Sequence, residues 1–163
     1  MEKDPFKRFG EVYARARESG LRLPDAVSLA TVGDDGQPSL RMVLLKGFDD
    51  RGFVFYTNLK SRKGRELESN PSAALCFWWE PLDEQVRIEG KVEAVSSEEA
   101  DAYFATRDRG SQLGAWASQQ SRPLGSRTEL INAVDEVTRM FSDREVPRPG
   151  PLDLASAAPR PSG

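Results

Sequence analysis

The sequence predicts a mainly β fold with flanking helices: an antiparallel barrel, closed or nearly closed, with a β-sandwich as the alternative. Two observations predict it. Five or six short β-rich runs follow one another across tight Gly/Asp turns, and amphipathic helical stretches are interspersed among them. Closure into a barrel is favoured because it removes the exposed edges that so many short strands would otherwise present. At 163 residues and 38% hydrophobic content the chain has the size of one domain with one ordinary core.

The elements follow in order. Phe6, Phe9, Val12 and Tyr13 recur at helical spacing over residues 4–20, with Asp4 and Pro5 at the N-cap and first helical position and Gly20 as the stop. Residues 26–32 and 39–46 flank the turn Gly33-Asp34-Asp35-Gly36 and read as a hairpin. A second turn, Asp49-Asp50-Arg51-Gly52, leads to a strand over 53–57, which makes a three-stranded meander. A short helix over 61–69 has Ser61 as N-cap and ends at Asn70-Pro71. Strands resume at 73–79 and 85–95, the second alternating Val86, Ile88, Gly90 and Val92 with polar neighbours.

Ser96 and Glu99 form a capping pattern ahead of a helix to about Thr106, which Asp108-Arg109-Gly110 is read to end. A later amphipathic helix over 125–141 carries Leu130, Ile131, Val134, Val137 and Phe141 on one side. The stretch 147–163 holds five prolines, small residues and no aromatic, which predicts a disordered tail beyond a domain over 1–146.

Composition removes several function classes. A net charge of −3 provides no global positive field for nucleic acid or an acidic membrane, so any anion site is local. No apolar run reaches the roughly 20 residues that span a bilayer, and the charged start is unlike a signal peptide, so a cytoplasmic location is expected. Cys76 is the single cysteine, in an apolar run, and is read as an inert thiol. There is no histidine, which removes His-dependent triads, imidazole-ligated zinc and histidine acid–base catalysis. No metal site and no catalytic side chain is predicted; an enzyme so composed would take its chemistry from a bound cofactor.

Three constellations could bind a ligand. Arg62, Lys63 and Arg65 crowd the first turn of the helix after Ser61, where the macrodipole disfavours cations and a phosphate would find free N–H groups. A solvated basic turn paired with Glu66 or Glu68 explains that segment equally well. Arg41 and Lys46 bracket the apolar strand Met42, Val43, Leu44 and Leu45; on a regular strand they point to opposite faces, so both serve one ligand only across a bulge or around a strand end. Tyr103 and Arg107, four apart on one helix face, precede Ser111 and could hold a ring and a phosphate, although a surface Tyr stacked on Arg is the simpler reading. Gln85, Gln120 and Ser121 are neutral hydrogen-bonders suited to a polar ring edge or to plain surface.

From N- to C-terminus the sequence carries Ser28-Leu-Ala-Thr-Val32, Arg41-Met-Val-Leu-Leu-Lys-Gly-Phe48, Gly52-Phe-Val-Phe-Tyr-Thr-Asn58, Ser61-Arg-Lys-Gly-Arg-Glu-Leu67, Gln85-Val-Arg-Ile-Glu-Gly90 and Arg109-Gly-Ser-Gln-Leu-Gly-Ala-Trp-Ala-Ser118. These motifs resemble the pyridoxamine 5′-phosphate oxidase family over residues 4–149. The resemblance implies a homodimeric split β-barrel that binds flavin mononucleotide (FMN) at the subunit interface. It assigns FMN to Arg41, Met42, Val43, Leu44, Leu45, Lys46, Tyr56, Thr57, Arg62, Lys63, Gln85, Gln120 and Ser121, and the substrate phosphate to Lys46, Tyr103, Arg107 and Ser111.

The activity implied is oxidation of pyridoxamine or pyridoxine 5′-phosphate to pyridoxal 5′-phosphate, by hydride transfer from C4′ to flavin N5 and reoxidation with dioxygen. After Glu145-Val-Pro-Arg-Pro149 the family continues with a Trp-Gly-Gly strand, an Ile-Glu-Phe-Trp strand and an Arg-Leu-His-Asp-Arg ending, and residues 150–163 contain none of these. On the family pattern two barrel strands would then be missing. The alternative function is therefore an FMN- or pyridoxal-phosphate-binding protein without oxidase activity, and a third reading is a related oxidase acting on a phenazine precursor.

Overall fold

The computed structural model describes residues 3–58, 60–120, 126–149 and 154–159, with the backbone alone for 118–120 and 154–159. Where one domain over 1–146 is expected, the chain divides into two compact units, Met1–Val95 with Asp153–Gly163, and Ser96–Leu152.

The first unit is a barrel with two helices. Helix α1 (Pro5–Glu18) starts where the Asp4 carboxylate accepts from the N–H groups of Phe6 and Lys7, and turns Phe9, Val12 and Ala16 inward. Strands β1 (Ala26–Val32), β2 (Pro38–Asp49) and β3 (Gly52–Tyr56) form the expected meander. Helix α2 (Arg62–Ser69) then leads to β4 (Ser72–Trp79) and β5 (Glu84–Ala94), joined through a 3-10 turn at Glu80–Leu82. At that turn Asp83 takes the left-handed conformation, φ 49°.

The barrel closes in the order β1-β2-β3-β6-β5-β4, and the closing strand β6 (Leu154–Pro159) comes from the stretch expected to be disordered. It runs antiparallel to both β3 and β5, with Val54 opposite Ser156 and Val92 opposite Ala157. Composition misleads here because a ladder is made of backbone groups. A segment without aromatics can still pair the N–H and C=O groups that β3 and β5 would otherwise leave open.

The core follows from alternation. Val27 and Leu29 of β1, Leu45 of β2, Phe53 and Phe55 of β3, Leu75, Phe77 and Trp79 of β4 and Ile88 of β5 are buried together with Phe9 of α1 and Leu67 of α2. Phe9 meets the rings of Phe48, Phe53, Phe77 and Trp79 at centroid distances of 4.8–5.9 Å, so α1 packs on the barrel through aromatic contacts. The Trp79 indole N–H donates to the carbonyl of Pro24 at 2.8 Å, which satisfies its one polar atom.

The second unit is helical: α3 (Ser97–Thr106), α4 (Arg109–Gln120) and α5 (Arg127–Met140), around Phe104, Leu113, Ala117, Val137, Phe141 and Val146. Helix α4 lies where the sequence reading placed only a stop. Asp108 accepts from the Ser111 N–H at 2.9 Å, so Asp108-Arg109-Gly110 opens a helix as well as following one. Residues 147–149 also belong to this unit rather than to a free tail: the Trp116 indole donates to the Pro147 carbonyl at 2.7 Å, Arg148 pairs with Asp101 at 2.7 Å, and Pro149 is fully buried.

Candidate functional site

The sharpest polar cluster in the barrel unit surrounds Glu66, in α2. It is a carboxylate only 8% exposed. Its Oε2 accepts from the hydroxyls of Thr31 on β1 at 2.6 Å and Ser39 on β2 at 2.7 Å, while its Oε1 accepts from Arg62 Nε at 2.7 Å. Arg41, which faces the same side of β2 as Ser39, donates to both hydroxyls and to the Leu29 carbonyl, and comes within 3.8 Å of Glu66. Hydrogen bonds from Thr31 first, Ser39 next and then Arg62 hold the carboxyl down to about 2, so it is an anion at neutral pH. Lys63 is half-buried; desolvation, and then the charge of Arg41, lower its pKa.

Local structure explains the convergence. The Ser61 side chain caps α2 by accepting from the Gly64 N–H at 3.2 Å, which fixes Arg62 and Lys63 in the first turn, where backbone N–H groups lack intrahelical partners. Arg41 and Arg62 converge on one carboxylate, and Lys63 in the first turn of α2 adds a third cation close enough to feel the charge of Arg41, so the positive charges exceed the negative by two. Thr57, four residues before that cap, has a buried hydroxyl with no hydrogen-bond partner among the described residues. Such a hydroxyl is satisfied when a bound ligand supplies the missing partner. The donor set fits a phosphorylated cofactor such as FMN: cations and free N–H groups for a dianionic phosphate, and a spare hydroxyl nearby in sequence.

The paired reading of the basic turn holds in part. Arg62 does pair with Glu66, but the carboxylate is buried and shared with β1 and β2 rather than solvated. Sequence alone misses this role of Glu66, and also Thr31 and Ser39, because strand register brings them together. Thr31 and Ser39 are direct partners in the β1–β2 ladder. The single available signal was a Glu four residues after a basic helix start.

The remaining predicted flavin residues are distributed by strand alternation. Val43 and Leu45 pack into or against the core, so a ligand there could meet their backbone only, whereas Met42, Leu44 and Lys46 point outward. A bulge is present in β2, where the β2–β3 register passes from Leu45 opposite Phe55 to Gly47 opposite Val54 and leaves Lys46 as the extra residue, but alternation is unbroken up to that point, so Lys46 points outward while Arg41 lies on the Ser39 side. Tyr56 is half-buried at the end of β3, and Gln85 is exposed opposite Trp78. Ser121 and the side chain of Gln120 lie outside the described residues. An open groove of about 480 Å³ along α1, lined by Gly10, Tyr13, Ala14, Arg17, Glu18 and Phe48, contains none of the predicted residues.

The helical unit changes the third constellation. Helix α3 ends at Thr106 and Arg107 is its C-cap with extended backbone, so Tyr103 and Arg107 do not share a helix face as their spacing suggests. The Arg107 guanidinium instead lies 5.8 Å from the ring centroid of Phe104. Ser111 sits in the first turn of α4, its hydroxyl donating to Asp108 Oδ2 at 2.7 Å. Those bonds hold the Asp108 carboxyl below its usual range.

Comparison with known proteins gives this geometry a context. Residues 14–141 match the family model described as pyridoxamine 5′-phosphate oxidase. The chain is 60% identical over 146 residues to a pyridoxine/pyridoxamine 5′-phosphate oxidase of Myxococcus xanthus, covering 90% of this chain and 71% of that protein. A protein of the same name from Rubrobacter xylanophilus is 57% identical, covering 91% of this chain and 68% of the relative. Among solved structures, PhzG from Burkholderia lata 383, in complex with tetrahydrophenazine-1-carboxylic acid, superposes with a TM-score of 0.88 at 30% identity, covering 97% of this chain and 77% of PhzG. A pyridoxamine 5′-phosphate oxidase-related, FMN-binding protein of Nostoc punctiforme shares the fold, with a TM-score of 0.72 at 21% identity, covering 96% of this chain and 81% of that one. A family match across most of the chain, majority identity to proteins of one name and a shared split barrel lead to one conclusion: the chain belongs to the pyridoxamine 5′-phosphate oxidase family.

Proposed function

We propose that this protein is an FMN-dependent oxidase that converts pyridoxamine or pyridoxine 5′-phosphate to pyridoxal 5′-phosphate with dioxygen as acceptor. The observation that carries the proposal is the convergence of Arg41 and Arg62 on buried Glu66, with Lys63 near Arg41 in the first turn of α2, an arrangement in which positive charges exceed negative by two. Arg41 and the first turn of α2 would hold the flavin phosphate, and the Thr57 hydroxyl would complete its hydrogen bonding on the same ligand. When bound, FMN supplies the two-electron redox chemistry, which suits a chain without histidine. The protein's own task is then positioning and charge neutralisation.

For a substrate phosphate the helical unit offers Tyr103, Arg107 and Ser111, and the barrel unit offers Lys46 at the β2 bulge. Guanidinium and hydroxyl groups suit a phosphorylated substrate better than an unphosphorylated tricyclic one, which places the oxidase of a phenazine precursor third. The outward face of β2 and β4 exposes Leu40, Met42, Leu44 and Trp78, and β1 lies between those strands. So continuous an apolar face on a barrel exterior supports a homodimer.

A non-oxidising flavin- or pyridoxal-phosphate-binding protein is the second reading, favoured by the lack of aromatic residues and histidine in 150–163. Peroxide release separates the readings. FMN-loaded protein given pyridoxamine 5′-phosphate, pyridoxine 5′-phosphate or unphosphorylated pyridoxamine should produce hydrogen peroxide with the phosphorylated compounds. No peroxide with any of the three, from protein that retains FMN, would establish the second reading.

A further inference from the structure

We propose that Glu66 is the positioning residue of the flavin-phosphate site, holding the Arg41 and Arg62 guanidiniums in one phosphate-facing arrangement through a relay of two hydroxyls; this rests on the FMN reading above. The relay has a consistent polarity. Thr31 and Ser39 each accept from Arg41 and donate to Glu66 Oε2, so both hydroxyls use proton and lone pair at once. The other carboxylate oxygen takes Arg62 through Nε, which leaves the terminal nitrogens of that 65%-exposed side chain available to an anion.

Three elements are joined in this way. Thr31 comes from β1, Ser39 and Arg41 from β2, and Arg62 and Glu66 from α2, so one buried carboxylate ties the helix start to two neighbouring strands. Without it, Arg41, Arg62 and Lys63 would repel one another beside a helix N-terminus that is itself positive. A carboxylate this close to a phosphate opposes binding by simple Coulomb repulsion. Its presence is favourable only if orienting the arginines gains more than the repulsion costs.

That opposition gives the test its sign. Glu66→Gln removes a negative charge, so electrostatics alone predicts tighter FMN binding, whereas a positioning role predicts weaker binding. Flavin fluorescence titrations would compare FMN with riboflavin, which lacks the phosphate, on the wild-type chain, Glu66→Gln and Ser39→Ala. Ser39→Ala keeps every charge and removes one relay hydroxyl, so it carries the test if Glu66→Gln does not fold.

The expected result is a loss of FMN affinity of about 10- to 100-fold in Glu66→Gln, by analogy with partners that orient metal ligands. Ser39→Ala should show a smaller loss, and riboflavin affinity should be unchanged in both. Equal or tighter FMN binding by the variants would overturn the proposal, as would equal weakening of FMN and riboflavin, which marks a purely structural role. A wild-type chain without preference for FMN over riboflavin would overturn the phosphate-site reading itself.

Discussion

At the scale of single residues, the barrel's polar chemistry is concentrated on one buried acid and three cations. Each charge-assisted hydrogen bond to a phosphate is worth about 1.5–3 kcal/mol. Arg62→Ala with Lys63→Ala should therefore weaken FMN binding by about 100-fold or more. Thermal stability should change much less, since Arg62 is mostly exposed and neither residue belongs to the apolar core. Calorimetric titration beside a thermal melt checks this, and unchanged FMN affinity would remove the assignment.

Glu66 should also leave a signature in acid. Its folded pKa is depressed from 4.5 to about 2, so the stabilisation it gives is complete above the unfolded value and is lost as pH falls from there through about 2. The urea midpoint of the wild type should exceed that of Glu66→Gln at pH 6, and the difference should shrink between pH 5 and 2. A difference independent of pH would show that ionised Glu66 is not the source. Arg62 and Lys63 were legible in the sequence as charges misplaced at a helix start, and Arg41 only as a charge beside an apolar strand. The acid that organises them was not, because Thr31 and Ser39 become its partners only once β1 and β2 pair in register.

At the scale of elements, local chemistry fixes most of the boundaries. The β1 limits, the Asp4, Ser61 and Ser96 caps and the meander all agree with turn and capping signals. Ser61→Ala should cost about 1 kcal/mol, roughly 2–4 °C in Tm for a chain of this size, and should also loosen FMN by disordering the first turn of α2. An intact FMN affinity in a destabilised Ser61→Ala protein would separate the cap from the site.

Two elements were misread for opposite reasons. In α4, Asp108 and Gly110 look like a terminator, yet the Asp108 carboxylate caps the new helix through Ser111. In β6, the prolines and small residues disguise a strand whose contribution is backbone pairing. The third constellation shows the limit of spacing arguments: an i, i+4 pair shares a face only while the helix continues, and α3 stops one residue before Arg107.

At the scale of the whole molecule, closure of the barrel comes first and the proposed dimer second. Ending the chain after Pro149 would remove β6 and expose the edges of β3 and β5. That protein should melt at lower temperature and aggregate more readily by light scattering, and an unchanged melt would show that β6 adds nothing to the barrel. The apolar outer face of β2 and β4 should be covered in a dimer. Met42→Asp should shift the mass measured by size-exclusion with light scattering from dimer to monomer, whereas a wild-type monomer would contradict the dimer reading.

Barrel class and the β1-β2-β3 meander could be read from the sequence because turns and alternation are local, whereas the pairing of β4 with β1 could not. Separation into two units could not, because it depends on which helices share a core. The central claim, a barrel that holds FMN and uses it on a phosphorylated pyridine, is tested most directly by one spectrum. The purified protein is mixed with FMN, desalted, and given pyridoxamine 5′-phosphate under anaerobic conditions. Retained yellow colour that bleaches on adding substrate is the predicted result, and a colourless protein after desalting would contradict the account.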